Sequence, residues 1–395
     1  MKFNFGPYSA LLLLFFIHGI VYAYLALKEG VSYNTKSSLW HSGILFLLCL
    51  YFSPFMCGYA GWYATDGYRE VLYYLPLQQL LIIGPVLYFY IQSLLYPGFV
   101  FKRHHWLHFL PGILYLLYSL LIFLGDIFYF EEIYFYQDGQ DKDFDLWYQV
   151  AGFISLASYF LLSLYHYQQY RKQIFDTLSY AEEIAYSWVR RFLILFLIIP
   201  LPRILFFVLN PEWGQFGRKF WYYFSISLVT YYLAIRGYNH TLLLRSAHAQ
   251  RPSDLQTAVY HLSPILQNIS NEPEPSQSAE PDEHPEAMEK IQQLMHEKQL
   301  YENPVLNLGD IATELNVTPK VISQTINKHT GMNFNNYINQ FRVQAVIHKF
   351  SSNMHEEITL LGIAYSCGFN SKSTFNRAFK KYTGLTPREY LAKNH

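Results

Sequence analysis

Apolar residues dominate the first 238 positions in long, evenly separated runs. They fall near 8–27, 39–61, 71–96, 105–125, 146–169, 188–209 and 220–237. Each is roughly 20 residues long, enough to carry a helix across about 30 Å of hydrocarbon at about 1.5 Å per residue. The pattern predicts about seven transmembrane helices. Trp40, Trp62, Trp106, Trp147, Trp188 and Trp221 stand at run ends, where amphipathic rings favour the membrane–water interface. Loops on the side of the C-terminus carry Lys28, Lys36, Lys102, Arg103, Arg171, Lys172, Arg190, Arg191, Arg236, Arg245 and Arg251. The opposite side carries only Lys2, Arg69, Lys142, Arg218 and Lys219. Positive charge is retained on the cytoplasmic side, so the N-terminus is expected outside and the C-terminus in the cytoplasm of a bacterial inner membrane. The first run is too long for the core of a cleavable signal peptide and lacks a small-residue cleavage site.

The period changes after residue 238. Residues 239–287 read as a partly helical stretch that runs into NEPEPSQSAEPDEHPE (Asn271–Glu286), a Pro/Glu/Ser composition that favours an extended, disordered linker. From Met288 to the end the apolar positions follow helical spacing, and they repeat. Ile311-Ala312, Lys320, Ile322, Ile326, Lys328, Thr330-Gly331-Met332 and Tyr337-Ile338 are echoed by Ile363-Ala364, Lys372, Phe375, Phe379, Lys381, Thr383-Gly384-Leu385 and Tyr390-Leu391. The offset is 52 or 53 residues, with one residue inserted at the turn.

Each repeat predicts a helix, a tight turn and a second helix. Leu308, Ile311, Ala312 and Leu315 share one helical face. Asn316-Val317 turns the chain, Thr318 suits an N-cap and Pro319 a first helical position. The second helix runs to about His329 and stops at Gly331. Its outer face carries Thr318, Lys320, Ser323, Gln324, Asn327 and Lys328. In the second copy, a helix over Leu360–Cys367 and a Gly368-Phe369-Asn370 turn precede a helix that begins at Ser371 and ends before Gly384. Its outer face carries Ser371, Lys372, Ser373, Asn376, Arg377, Lys380 and Lys381. Thr386 and Glu389 have the spacing of a capping box. Between the copies, 333–350 reads as one long helix, with Phe334, Tyr337, Ile338, Phe341 and Ala345 on a stripe. Arg342 on this helix could contact the DNA backbone or pair with Glu356 or Glu357, and it is assigned a structural role. From Thr318 onward ten basic residues face three acidic ones. That excess attracts phosphate, and Gln, Asn and Arg are the side chains that read base edges.

The segment 306–392 resembles the C-terminal domain of AraC/XylS-type bacterial transcription regulators, most closely in IAYSCGFNSKSTFNRAFKKYTGLTPREYL. The resemblance implies two helix-turn-helix units joined by a linker helix and binding promoter DNA, with recognition helices over 318–329 and 371–381. The usual soluble β-barrel sensor is replaced here by apolar runs, as in a smaller membrane-bound subgroup.

Composition adds little beyond this division. The chain is 52% hydrophobic, 19% aromatic and 15% charged with a net charge of zero, so the average says nothing of partners. Cys49, Cys57 and Cys367 have neither disulfide nor zinc spacing. His104, His105 and His108 lack a Cys or carboxylate companion. Asp141-x-Asp143-x-Asp145 starts like a calcium loop and then fails its glycine and glutamate positions. Residues 126–145 are therefore expected to form a solvated acidic loop. Within the apolar runs, His18, Gln78, Gln79 and Arg203 are candidate ligand-binding residues, because polar groups in a membrane usually serve a function. The competing reading has Arg203 reaching the interface and the glutamines bonding between helices. No nucleophile–base pair or phosphate-binding glycine loop is present, and no enzyme activity, cofactor or metal is expected.

Together these features predict an all-α chain: a polytopic transmembrane bundle (1–238), a linker (239–287) and a soluble double helix-turn-helix domain (288–395). The expected partners are double-stranded DNA and the lipid bilayer. RNA polymerase, a second copy of the chain and a small-molecule or envelope signal are compatible with the arrangement. A transporter with a regulatory tail, or a simple anchor, stays open as an alternative.

Overall fold

A computed structural model describes residues 6–96, 98–130, 133–137, 139–198, 219–249, 285–352 and 358–394. The described residues are helical and contain no strand, only an isolated antiparallel bridge between Leu178 and Asn307. They divide into two compact units. One comprises residues 1–167 and 187–251, the other residues 168–186 and 252–395.

The first unit contains α1 (Pro7–Ser32), α2 (Lys36–Tyr59), α3 (Asp66–Tyr74), α4 (Leu80–Leu95), α5 (Leu110–Gly125), residues 146–167 of α6 (Leu146–Thr177), α8 (Ser187–Ile198) and α9 (Phe220–Ala249). Its central element is α2, where 67% of the most apolar window is buried, against 22% in α1. Small residues allow the close approach: a Cβ on Gly19 of α1 would lie 2.3 Å from the Cys49 sulfur on α2. Aromatic rings close the contact with α9, with Tyr8 against Phe220 and Phe15 against Tyr231. The outward faces of α1 and α5 are apolar, with Leu14 at 64% and Leu121 at 68% exposure.

Among the described residues, four helical stretches are long and apolar enough to cross a membrane: Pro7–Ser32, Lys36–Tyr59, Arg103–Phe130 and Leu146–Thr177. The expected count of about seven is thereby corrected. The run at 71–96 is broken, because Leu75 to Gln79 leave the helix around Pro76 and only Leu80–Leu95 continues. Proline lacks the N–H that would carry the ladder through. The run at 220–237 does form a helix, α9, but it is rich in tyrosine and falls below the others in hydropathy. Residues 199–218, with Pro200, Pro202, Arg203 and Arg218, lie outside the described residues, as do Arg251 and most of the expected linker.

The acidic loop also differs from expectation. Asp126, Asp141 and Asp143 are buried, at 2%, 5% and 2% exposure. Asp141 accepts from the Tyr63 hydroxyl at 2.9 Å and Asp143 from Tyr115 at 2.6 Å and the Gln78 amide at 2.8 Å. Tyr74 donates to Asp126 at 2.7 Å. Tyrosines from neighbouring elements supply the donors that buried carboxyls require, so the loop folds inward.

The second unit contains residues 168–177 of α6, α7 (Ala181–Ile184), α10 (Pro285–Glu297), α11 (Leu308–Leu315), α12 (Pro319–Thr330), α13 (Phe334–Ser351), α14 (Leu360–Ser366), α15 (Lys372–Thr383) and α16 (Pro387–Asn394). It has two cores, one per repeat. Ile291, Met295, Leu308, Ile311, Ile322, Ile326 and Phe334 form the first; Val346, Phe350, Ile363, Phe369, Phe375 and Phe379 form the second. The rod between them is α13. Phe334, Tyr337 and Ile338 enter the first core, and Val343, Val346 and Phe350 the second.

Candidate nucleic-acid interface

The two repeats fold through the same hydrogen bonds. After α11, Asn316 takes a left-handed conformation (φ 53°) and the Val317 amide returns to the Ala312 carbonyl at 3.0 Å. After α14, Gly368 does the same (φ 88°), and the Phe369 amide returns to Ala364 at 3.1 Å. The second helices also end alike. Gly331 (φ 65°) donates to the Asn327 carbonyl at 2.8 Å, and Gly384 (φ 75°) to Lys380 at 2.9 Å. Thr330 and Thr383 each donate to the carbonyl four residues back, at 2.6 and 2.8 Å, and each accepts at 3.2 Å from the amide two residues on. The starts differ in chemistry: Pro319 opens α12 with no side-chain bond from Thr318, whereas the Ser371 hydroxyl accepts from the Thr374 amide at 3.2 Å. The Thr386–Glu389 capping box forms as the spacing requires.

On α12, Ile322 and Ile326 are buried, while Lys320, Gln324, Asn327 and Lys328 are exposed together with Thr318; Ser323 is half-buried. On α15, Phe375, Ala378 and Phe379 turn inward and leave Lys372, Ser373, Asn376, Arg377, Lys380 and Lys381 exposed, with Ser371 half-buried. Each second helix thus presents amide and cationic side chains on the face opposite its core. Lys381 is tied to the rod, donating to the Asn336 side chain at 2.8 Å. Both helices end on glycines in the left-handed region, where other residues meet a steric penalty.

Arg342 joins the parts. It is 1% exposed and donates to the carbonyls of Tyr301 and Asn303, both at 2.8 Å, and to the carbonyl and hydroxyl of Ser179 at 3.3 and 3.0 Å. It also reaches Asn339 at 3.4 Å. Burial pulls the guanidinium down to about 10, against the opposing influence of Glu183, so it stays charged at neutral pH. Glu356 and Glu357, the partners considered from sequence, lie outside the described residues.

Sequence reasoning missed the stretch that meets Arg342. Leu178, Ser179, Tyr180 and Ala181 are buried. The Ser179 amide donates to Leu306 at 3.1 Å, and Asn335 donates to Ser179 at 2.8 Å. Beyond them, Glu183 accepts from Thr374 at 2.9 Å and Ser371 at 3.3 Å, and Glu182 pairs with Arg377. Burial lifts the Glu183 carboxyl above the usual range, and the Thr374 bond acts the other way. The available signal was an adjacent pair of carboxylates in a stretch otherwise marked by Arg171, Lys172, Arg190 and Arg191.

Residues 311–393 match the helix-turn-helix domain family. The chain is similar to the uncharacterized HTH-type transcriptional regulator YpdC of Escherichia coli strain K12, at 31% identity over 91 residues. It is also similar to the HTH-type transcriptional activator RhaR of the same strain, at 29% over 87 residues. Both matches take in 22% of this chain and 30% of the relative, so the chain spans less than a third of the length of these proteins. No solved structure matches. The matched stretch contains α12, α13, α14, α15 and most of α16, and supports an AraC-type regulator at the C-terminus.

The candidate ligand residues of the first unit lie in separate settings. Gln78 is enclosed: it donates to the Tyr51 carbonyl at 3.0 Å and accepts from Gln149 at 2.8 Å and, through its backbone carbonyl, from Tyr148 at 2.5 Å. Gln79 donates to the Pro76 carbonyl. The His18 ring is tilted against Tyr22 and against Tyr231, with ring centroids 4.5 Å away in both cases. Arg203 is outside the described residues. A cavity of about 870 Å³ is lined by other residues, among them Glu70, Tyr74, Leu116, Phe123, Asp126 and Ile133. Among the described residues no group of His, Cys, Asp or Glu has the arrangement of a metal site.

Proposed function

We propose that this chain is a membrane-embedded one-component transcription regulator. It binds double-stranded DNA in the cytoplasm through α12 and α15, under the control of a signal received by the apolar helices. The observation that carries the reading is the repetition of the same turn and helix-end hydrogen bonds in two helix–turn–helix units, with an exposed amide and cationic face on each second helix, inside a segment matching helix-turn-helix regulators. A rod holding two such faces is suited to successive major grooves about 34 Å apart. The bilayer assignment rests on four long apolar helices and on outward faces that carry leucine where a water-soluble protein would carry charge.

The test is binding of the full chain, in lipid nanodiscs, to duplexes that include its own upstream region, across a salt series. The C-terminal fragment alone would lack Ser179 and its neighbours, which belong to the same unit. Specific binding weakened by Gln324→Ala or Arg377→Ala by about 1–3 kcal/mol is expected for lost base contacts. Absence of binding at low salt would overturn the reading in favour of a transporter or anchor whose helical tail contacts protein.

A further inference from the structure

The stretch Leu178–Ile184 has two parts with different roles. The first is an anchor. Leu178 to Ala181 are fully buried, bridged to Asn307, bonded to Leu306 and Asn335, and held by the Arg342 fork. The second is a tip, where two carboxylates meet α15. Glu182 pairs with the Arg377 guanidinium, which is still 61% exposed. The Glu183 Oε1 atom accepts from the hydroxyls of Ser371 and Thr374, the N-cap and third helical residue of α15. Its other oxygen, Oε2, is buried with no hydrogen-bond partner among the described residues.

An anion at this place does what a DNA phosphate does. The first turn of a recognition helix offers unpaired N–H groups, hydroxyl donors and the positive end of its dipole to the sugar–phosphate backbone. Arg377 lies one turn further along and is available to a phosphate or a base edge. Glu182 and Glu183 engage both groups with negative charge. A duplex approaching α15 meets two carboxylates where it needs donors, at a surface that repels its phosphates.

We propose that the Glu182–Glu183 tip is an autoinhibitory plug on the second recognition helix, which DNA must displace. The anchor need not leave for this to happen. Only the tip moves. The plugged chain engages DNA through α12 alone, and release of the tip adds α15. This inference rests on the DNA-binding reading above.

The test uses the full chain in nanodiscs with two fluorescein-labelled duplexes, one carrying the region upstream of its own gene and one of mixed sequence. The variant is Glu182→Ala/Glu183→Ala, which removes the two carboxylates and leaves the Ser371 cap on Thr374 intact. Binding should tighten on the order of tenfold for both duplexes, the scale of one exposed ion pair plus a charge-assisted bond. Hydrogen exchange supplies the independent readout: adding DNA to the wild-type chain should speed exchange at 182–186 while slowing it at 372–377. Unchanged or weaker binding by the variant, or exchange at 182–186 that DNA leaves alone, would overturn the plug while leaving DNA binding in place. If neither chain binds either duplex at low salt, the DNA-binding reading fails first and the plug with it.

Discussion

Replacing Arg342 by methionine keeps the volume of the side chain and removes its fork. Two of its bonds, to the carbonyls of Tyr301 and Asn303, are 2.8 Å long; the three to Ser179 and Asn339 are longer, at 3.0–3.4 Å. A hydrogen bond from a charged donor contributes about 1.5–3 kcal/mol, so the two short ones represent about 3–6 kcal/mol. Relief from keeping a guanidinium out of water returns part of this. The carbonyls left without a donor keep their own desolvation cost, so the net loss is about 3 kcal/mol. At about 1.4 kcal/mol per factor of ten, local opening becomes roughly a hundredfold more frequent. The assay is hydrogen exchange on the full chain, read at the amides of 300–306, 337–343 and 178–181. Arg342→Lys, which keeps the charge and loses the fork, should fall between. Wild-type exchange rates in the methionine variant would refute the argument that the fork ties the separate stretches together.

Two further outcomes follow from local geometry. A Cβ on Gly368 would sit 2.3 Å from the Tyr301 carbonyl and 2.9 Å from the Arg342 Nε, whereas one on Gly384 meets nothing within 4 Å. Gly384→Ala should therefore cost only the left-handed penalty of about 1–2 kcal/mol, and Gly368→Ala clearly more, measured by denaturant unfolding followed through exchange of the second core. In the first unit, burial and the neighbouring Asp143 push Asp141 up to about 8, and burial raises Asp143 as well. In the unfolded chain such a carboxyl ionises at about pH 4, so stability is fullest below that, is lost progressively while the folded acid holds a proton the unfolded chain has released, and levels off above the folded value of about 8. The melting temperature in detergent should fall between about pH 5 and pH 8, and Asp141→Asn should flatten that slope; a flat wild-type profile would show that the pair is not shielded from water.

The C-terminal elements were readable to within a residue or two because their boundaries are written in single residues with one dominant conformation. Pro319 opens α12, Gly331 and Gly384 close the second helices, and the Thr386–Glu389 box opens α16. The membrane count was less legible. Run length measures apolar stretch without showing where Pro76 interrupts it, and tyrosine counts as aromatic and apolar while lowering hydropathy. The fate of Asp141 and Asp143 was not legible at all, since their donors Tyr63, Gln78 and Tyr115 come from three separate segments. Carboxylates spaced along a loop look solvated until something folds over them. Of the interface, the outer faces of α12 and α15 were predicted from periodicity, because burial on a short helix follows spacing. Ser179, Glu182 and Glu183 were not, because an adjacent carboxylate pair among basic residues, the one local signal, does not say which helix the segment docks on.

That omission bears on how a signal would travel. Control through a flexible linker alone would have to work through local concentration, self-association or release. Yet the second unit is assembled from two stretches of chain, 168–186 and 252–395, and the first of these is the continuation of α6, an apolar helix whose earlier residues belong to the other unit. The groups at the end of the segment that α6 leads into are the two carboxylates on α15. Under the regulation proposed above, the two arrangements that a signal would choose between are Glu182 and Glu183 seated on Arg377, Ser371 and Thr374, or withdrawn from them.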